Sequence, residues 1–184
     1  MTKGEEIIRK QEIKVFDTNI FLTGIDFNLI NGLIYTLPEV IDEINVKKYH
    51  EKNRNILNRI YAAIDSKKLM LRSPIDKFFQ IIEDNSKISG DFKALSEVDK
   101  GLLALTLELK QNSNNDVVMY TNDYSMENLC SKLNIPFSPL IKQGIKSEII
   151  WEVYCPFCND VFKSEDLNNP CERCGSKLKR RPKK

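Results

Sequence analysis

Four acidic residues and four cysteines carry most of the chemistry available to this chain. Asp17 stands in KVFDTNIFL, at the end of an apolar run that resumes three residues later. A carboxylate at the end of a core strand is costly unless something neutralises it. Asp123 closes VVMYTND in the same way, although it also suits a turn or the cap of a following helix. Asp99, in ALSEVDKGLLALTLEL, lies three, four and seven residues before Leu102, Leu103 and Thr106, on the apolar stripe of a helix and in its first turn. Ser96-x-x-Asp99 also reads as a capping box near the positive end of the helix dipole. In LPEVIDEI, Glu43 lies nearer than Glu39 or Asp42 to the face set by Val40, Ile41 and Ile44, with an i,i+4 pair to Lys47 as its purely structural use.

Four carboxylates drawn from four elements would repel one another at neutral pH unless cations sat among them. Hard divalent ions, Mg²⁺ or Mn²⁺, suit such oxygen ligands and retain several waters. One ion can generate a hydroxide-like nucleophile and a second can stabilise a departing oxyanion in phosphoryl transfer. A single histidine, His50, is present, so a mechanism built on two imidazoles is unavailable.

Cys155, Cys158, Cys171 and Cys174 form two C-x-x-C knuckles separated by twelve residues. Four thiolates at that spacing suit a tetrahedral, structural Zn²⁺ with no open position. So small a segment cannot bury a real core, and metal affinity of the order of 10 kcal/mol would supply its folding energy. Cys130 keeps helical spacing with Met126, Leu129 and Leu133 and reads as a buried apolar thiol.

The elements that must position these groups alternate. Strands are expected at Ile13–Asp17, Leu33–Leu37, Leu69–Leu71, Val117–Thr121 and Ile135–Leu140. Helices are expected from Pro38 to about Ser66, over Ile75–Ile88, Glu97–Lys110 and Tyr124–Leu133. Such alternation implies an α/β domain with a central parallel sheet, whose functional crevice lies at the carboxyl ends of the strands.

The chain has 184 residues and a formal net charge of +2, unevenly spread. Residues 1–141 hold 18 Lys/Arg against 20 Asp/Glu, whereas residues 142–184 hold 10 against 6. KLKRRPKK is basic at six of eight positions, which favours a polyanion partner over a merely solubilising tail. A second basic stretch follows Glu43. Lys47, Lys48, Lys52, Arg54 and Arg59 there, with Lys177, Lys179, Arg180 and Arg181, are the candidate phosphate contacts. Tyr154, Phe157 and Phe162 are the aromatics available to stack on unpaired bases or to pack the cysteine module. No window approaches the ~18 apolar residues of a membrane span, and the first residues lack a signal-peptide core, so a cytoplasmic protein without membrane partners is expected.

The set FDTNIF, PEVIDEI, GDFKALSEVDKGLLALTLEL and YTNDYSMENL resembles PIN-domain nucleases in order and spacing. With the cysteine module behind it, nearly the whole chain resembles the zinc-ribbon PIN endonucleases that mature the 3′ end of small-subunit rRNA in archaea and eukaryotes, in a compact archaeal form. The resemblance implies a three-layer α/β/α domain over residues 1–141, a linker over 142–151, and a zinc ribbon with basic tail over 152–184. It also implies Asp17, Glu43, Asp99 and Asp123 as metal-binding catalytic acids, with Asn19 supporting the first. The implied activity is metal-dependent hydrolysis of single-stranded pre-rRNA, giving 5′-phosphate and 3′-hydroxyl ends. The implied partners are the small-subunit precursor and its assembly factors, with no small-molecule cofactor. Two alternatives stand beside it: a PIN ribonuclease with another RNA target such as tRNA, and a non-catalytic RNA- or ribosome-binding factor.

Overall fold

The computed structural model of the chain describes residues 11–46, 49–139 and 148–183. Five parallel strands form its main sheet: β1 (Glu12–Phe16), β2 (Leu33–Thr36), β3 (Leu69–Leu71), β4 (Asp116–Tyr120) and β5 (Phe137–Ser138), in the order β3-β2-β1-β4-β5. Strand order reverses between β1 and β4, which pair in register from Glu12 against Asp116 to Phe16 against Tyr120. Ligand crevices of open α/β sheets form at such switch points, outside the carboxyl ends of the strands.

Helices cover the sheet in two groups. The short α1 (Thr18–Leu22), α2 (Pro38–Ile44) and α3 (His50–Asp65) pack with one another. The second group is α4 (Asp76–Ser89), α5 (Glu97–Asn112) and α6 (Tyr124–Lys132). Helix α5 is buried on every side from Lys100 to Leu109, as its near-continuous apolar sequence requires. Its side chains join Val15, Phe16, Ile34, Met119 and Leu129 in one core. The fold is thus the three-layer α/β/α arrangement expected from the alternation of strands and helices.

Two elements depart from expectation and a third was not expected. The single helix expected from Pro38 to about Ser66 is two helices, because α2 ends at Ile44 and α3 starts at His50. The buried Asn53 side chain donates to the Ile44 carbonyl at 2.9 Å, satisfying a backbone group that the break leaves open. The apolar residues after Asp17, outside every expected element, form the one-turn helix α1. The last strand shrinks from Ile135–Leu140 to Phe137–Ser138.

A separate antiparallel sheet of three strands follows, β6 (Trp151–Tyr154), β7 (Val161–Phe162) and β8 (Lys179–Pro182), in the order β7-β6-β8. Its core is only Val153, Cys155, Leu167, Cys171 and Leu178. Among the described residues, no helix is long and apolar enough to cross a membrane.

Candidate active site and metal centre

The parallel register of β1 and β4 delivers Asp17 and Thr121 side by side at the switch point. Thr121 Oγ1 donates to Asp17 Oδ2 at 3.0 Å, and the Asp123 amide donates to Thr121 Oγ1 at 3.1 Å. One buried hydroxyl therefore ties the two strand-end acids together. Asp123 is the N-cap of α6, its Oδ1 accepting from the amides of Ser125 and Met126 at 2.7 and 3.1 Å. The cap use weighed from sequence is thus the one the structure shows for Asp123.

Asp17 is only 3% exposed. Burial is the largest influence on its carboxyl and pushes it up from the usual 3.8 to about 6, against the Thr121 hydrogen bond and with the nearby Asp99 charge adding to the rise. Asn19 Nδ2 reaches Asp17 Oδ2 at 3.5 Å, the long supporting contact implied by the D-x-N pattern. Asp99 sits in a complete capping box with Ser96, its Oδ2 accepting from the Ser96 amide at 2.8 Å. Burial also raises the Asp99 carboxyl above the ordinary range, and the Asp123 charge pushes the same way. Glu43 is exposed on α2, but Thr18, the residue after Asp17, donates to its Oε2 at 2.5 Å. Glu39, by contrast, faces a separate cleft of about 260 Å³ with Leu37, Phe79, Glu97 and Val98.

The arrangement is thus a run of contacts, Glu43 to Thr18 beside Asp17, and Asp17 through Thr121 to Asp123. Asp99 is close enough to shift Asp17 and to be shifted by Asp123. Thr18 and Thr121 were missed in reading the sequence for titratable groups; their signal was their position in DTN and YTND. No three of these acids bring ligand atoms within 4.8 Å of one another.

Among the described residues, the tight cluster is Cys155, Cys158, Cys171 and Cys174, whose sulfurs all lie within 4.8 Å of one another. The Cys155–Cys174 and Cys158–Cys171 sulfur separations are 3.4 and 3.7 Å. The edge of a tetrahedron with metal–sulfur bonds of about 2.3 Å is roughly 3.8 Å, so the donor set fits a tetrahedral zinc centre. The Cys158 amide points at Cys155 Sγ at 3.5 Å, and that hydrogen bond lowers the Cys155 thiol while its neighbour Cys158 is raised. Cys130 is fully buried and burial pushes its thiol up, as an inert core cysteine requires.

The basic candidates divide. Lys52, Arg54, Lys177 and Lys179 are exposed. Arg59 is exposed but donates to the Gly24 carbonyl at 3.0 Å. Arg181 pairs with Glu152 at 2.7 Å and stacks over Tyr154, while Arg180 is engaged by Asp91 at 3.0 Å. Lys47 and Lys48 lie outside the described residues. Phe162 packs on the ribbon core, whereas Phe157, between the first two cysteines, is 78% exposed.

A profile of the PIN domain of ribonuclease matches residues 15–109, from the end of β1 through most of α5. Endoribonuclease Nob1 of Methanocaldococcus jannaschii is 32% identical over 170 residues, covering 92% of this chain and 78% of that protein. The chain belongs to the PIN-domain endoribonucleases, in the family that includes Nob1. Endoribonuclease Nob1 of Pyrococcus abyssi is 31% identical over 92% of this chain and 94% of its own length. Ribonuclease VapC1 of Thermoplasma acidophilum is 30% identical over 91% of this chain and 77% of its own. The Nob1 matches run past the PIN profile into the cysteine module, and the four-thiol cluster there fits a zinc ribbon.

Proposed function

We propose that this PIN-domain endoribonuclease is divalent-metal-dependent and hydrolyses single-stranded pre-rRNA at the 3′ end of the small-subunit rRNA, in the cytoplasm, during ribosome biogenesis. The observation that carries this reading is the Thr121 hydroxyl shared by Asp17 and Asp123 at the switch point. It ties the buried Asp17 carboxylate to the backbone of Asp123, while Asp17 also feels the charge of Asp99.

Asp17, Glu43, Asp99 and Asp123 form an all-oxygen donor set that would hold Mg²⁺ or Mn²⁺. Such an ion, when bound, supplies positive charge against the scissile phosphate and acidifies a water for attack at neutral pH. The chain's own residues orient the acids beforehand. Thr121 and Asn19 hold Asp17, Thr18 holds Glu43, the Ser96 box holds Asp99, and the α6 amides hold Asp123 by Oδ1. Hydrolysis at such a site leaves a 5′-phosphate and a 3′-hydroxyl. Lys52 and Arg54 on α3, with Lys177 and Lys179 on the ribbon, supply phosphate contacts outside the acidic rim. Zn²⁺ in the four-cysteine site would be structural. The precursor small subunit and its assembly factors are the matching partners.

The test uses a labelled RNA spanning the mature 3′ end and its trailing sequence, incubated with zinc-containing protein and Mg²⁺, Mn²⁺ or neither, beside Asp17→Asn. A single metal-dependent cut at the mature end, absent in the variant, is expected. The similarity to Ribonuclease VapC1 favours a second reading, a PIN ribonuclease with another RNA target. Cutting of structured RNA such as tRNA in preference to the rRNA junction would move the assignment there. Salt-sensitive binding with no cleavage, even on pre-ribosomal particles, would leave a non-catalytic RNA-binding factor.

A further inference from the structure

The zinc ribbon does not hang free of the nuclease domain; an ion pair between a buried Asp91 and a half-buried Arg180 joins them. Asp91, in the turn between α4 and α5, is 0% exposed. It accepts from Ser89 Oγ at 2.9 Å, Asn128 Nδ2 at 2.6 Å and Arg180 Nη1 at 3.0 Å. Arg180 comes from β8, where it pairs across the sheet with Val153, and its guanidinium lies 4.6 Å over the Trp151 ring. The same guanidinium reaches Ser125 Oγ at 3.3 Å. Asn128, also buried, clamps the chain entering β6 by two 2.7 Å bonds to the Ile149 backbone. Gly90, at φ +80, leaves room for this approach, since a Cβ there would stand 2.2 Å from the Trp151 carbonyl.

The partners of Arg180 sit beside two of the acids. Ser125 is in the first turn of α6, and its amide holds Asp123. Asp91 heads the short turn whose amides lead to Ser96 and the Asp99 capping box, with Ala94 and Leu95 both donating to the Asp91 carbonyl. A charge pair in the interior has one preferred geometry and resists slippage, because separating it leaves an unpaired buried charge.

We propose that Asp91 and Arg180 are positioning residues, a latch through which the folded ribbon holds the starts of α5 and α6, and with them Asp99 and Asp123, in the arrangement that binds the divalent ion. This rests on the reading of Asp99 and Asp123 as ion-holding carboxylates. It also gives Arg180 a task other than phosphate binding, although it lies in the basic tail.

The test uses full-length, zinc-containing protein as wild type, Arg180→Lys, Arg180→Met and the double variant Asp91→Asn/Arg180→Met. The double variant removes both charges together, so it does not strand Asp91 in the interior. Hydrogen exchange at the Ser125 and Met126 amides is read first, then Mn²⁺ affinity by electron paramagnetic resonance, then kcat and KM on the RNA. In the double variant, zinc content and far-UV circular dichroism stay at wild-type values while amide protection and Mn²⁺ affinity fall about tenfold or more, as for other residues that orient metal ligands. The loss appears in kcat with KM nearly constant, and Arg180→Lys recovers part of it. Unchanged protection and Mn²⁺ affinity, with weaker RNA binding and a shallower salt dependence, would make Arg180 a phosphate contact and overturn the latch. If wild type neither binds Mn²⁺ at the acids nor cuts RNA, the proposed function falls, and amide protection alone still decides whether the latch exists.

Discussion

Asp17 carries a cost in stability that follows chiefly from its burial. Its carboxyl is raised from 3.8 to about 6 by burial, so the folded state binds its proton more tightly than the unfolded chain does. The sign follows directly. Stability from this group is highest at low pH, falls as pH rises from about 4 through 6, and stays reduced at neutral pH. The deficit amounts to about 3 kcal/mol at most. With zinc in the ribbon and no other divalent ion added, Asp17→Asn should therefore be the more stable protein at pH 7.5 and lose that advantage by pH 4.5. An asparagine keeps an acceptor for Thr121 while shedding the charge. Adding Mn²⁺ should stabilise the wild type and leave the variant unmoved. Urea denaturation at the two pH values, with and without Mn²⁺, gives all of these numbers. A variant less stable than wild type at both would show that Asp17 is satisfied by the protein alone.

At the scale of elements, helix starts fix two of the acids in place. Asp99 occupies the N3 position of the α5 box and Asp123 the cap of α6. Ser96→Ala removes the hydroxyl that accepts from the Asp99 amide at 3.1 Å, so it should cost about 1 kcal/mol of stability and lower kcat severalfold with KM for RNA unchanged. Ser96→Thr should restore both; equal losses in Ala and Thr would point to packing rather than the cap. These helix starts were legible because S-x-x-D before an apolar run and N-D after an apolar strand are local signals. The strand and helix alternation was legible for the same reason, with Leu69–Leu71 matching to the residue. The break between α2 and α3 was not, since the Asn53 amide that caps Ile44 arrives from nine residues further on. Nor was the Asp91–Arg180 pair, whose members stand 89 positions apart. Asp91 in KISGDFKAL and Asn128 in YSMENLCSKL stand in mixed polar and apolar sequence that gave no sign of their burial.

For the whole molecule, the two sheets differ in what sustains them. The parallel sheet rests on a core of aliphatic and aromatic side chains from every helix around it. The ribbon has five buried core residues, and two of them are the metal-site cysteines Cys155 and Cys171. That cluster cannot offset the ordering of some thirty residues, each costing about 1–2 kcal/mol of backbone entropy, without a bound metal. Withdrawing zinc should thus unfold β6–β8 while the nuclease domain keeps its helices. Trp151, the sole tryptophan, reports the event because it lies half-buried at the seam under Arg180. Its emission should shift to the red on chelation in the presence of reductant, with the far-UV signal at 222 nm changing little. The same shift should follow from Cys171→Ser without chelator. Emission that stays put would mean the antiparallel sheet holds together without metal. Loss of helix in the same transition would mean the two sheets unfold as one unit, with the Asp91–Arg180 pair strong enough to couple them.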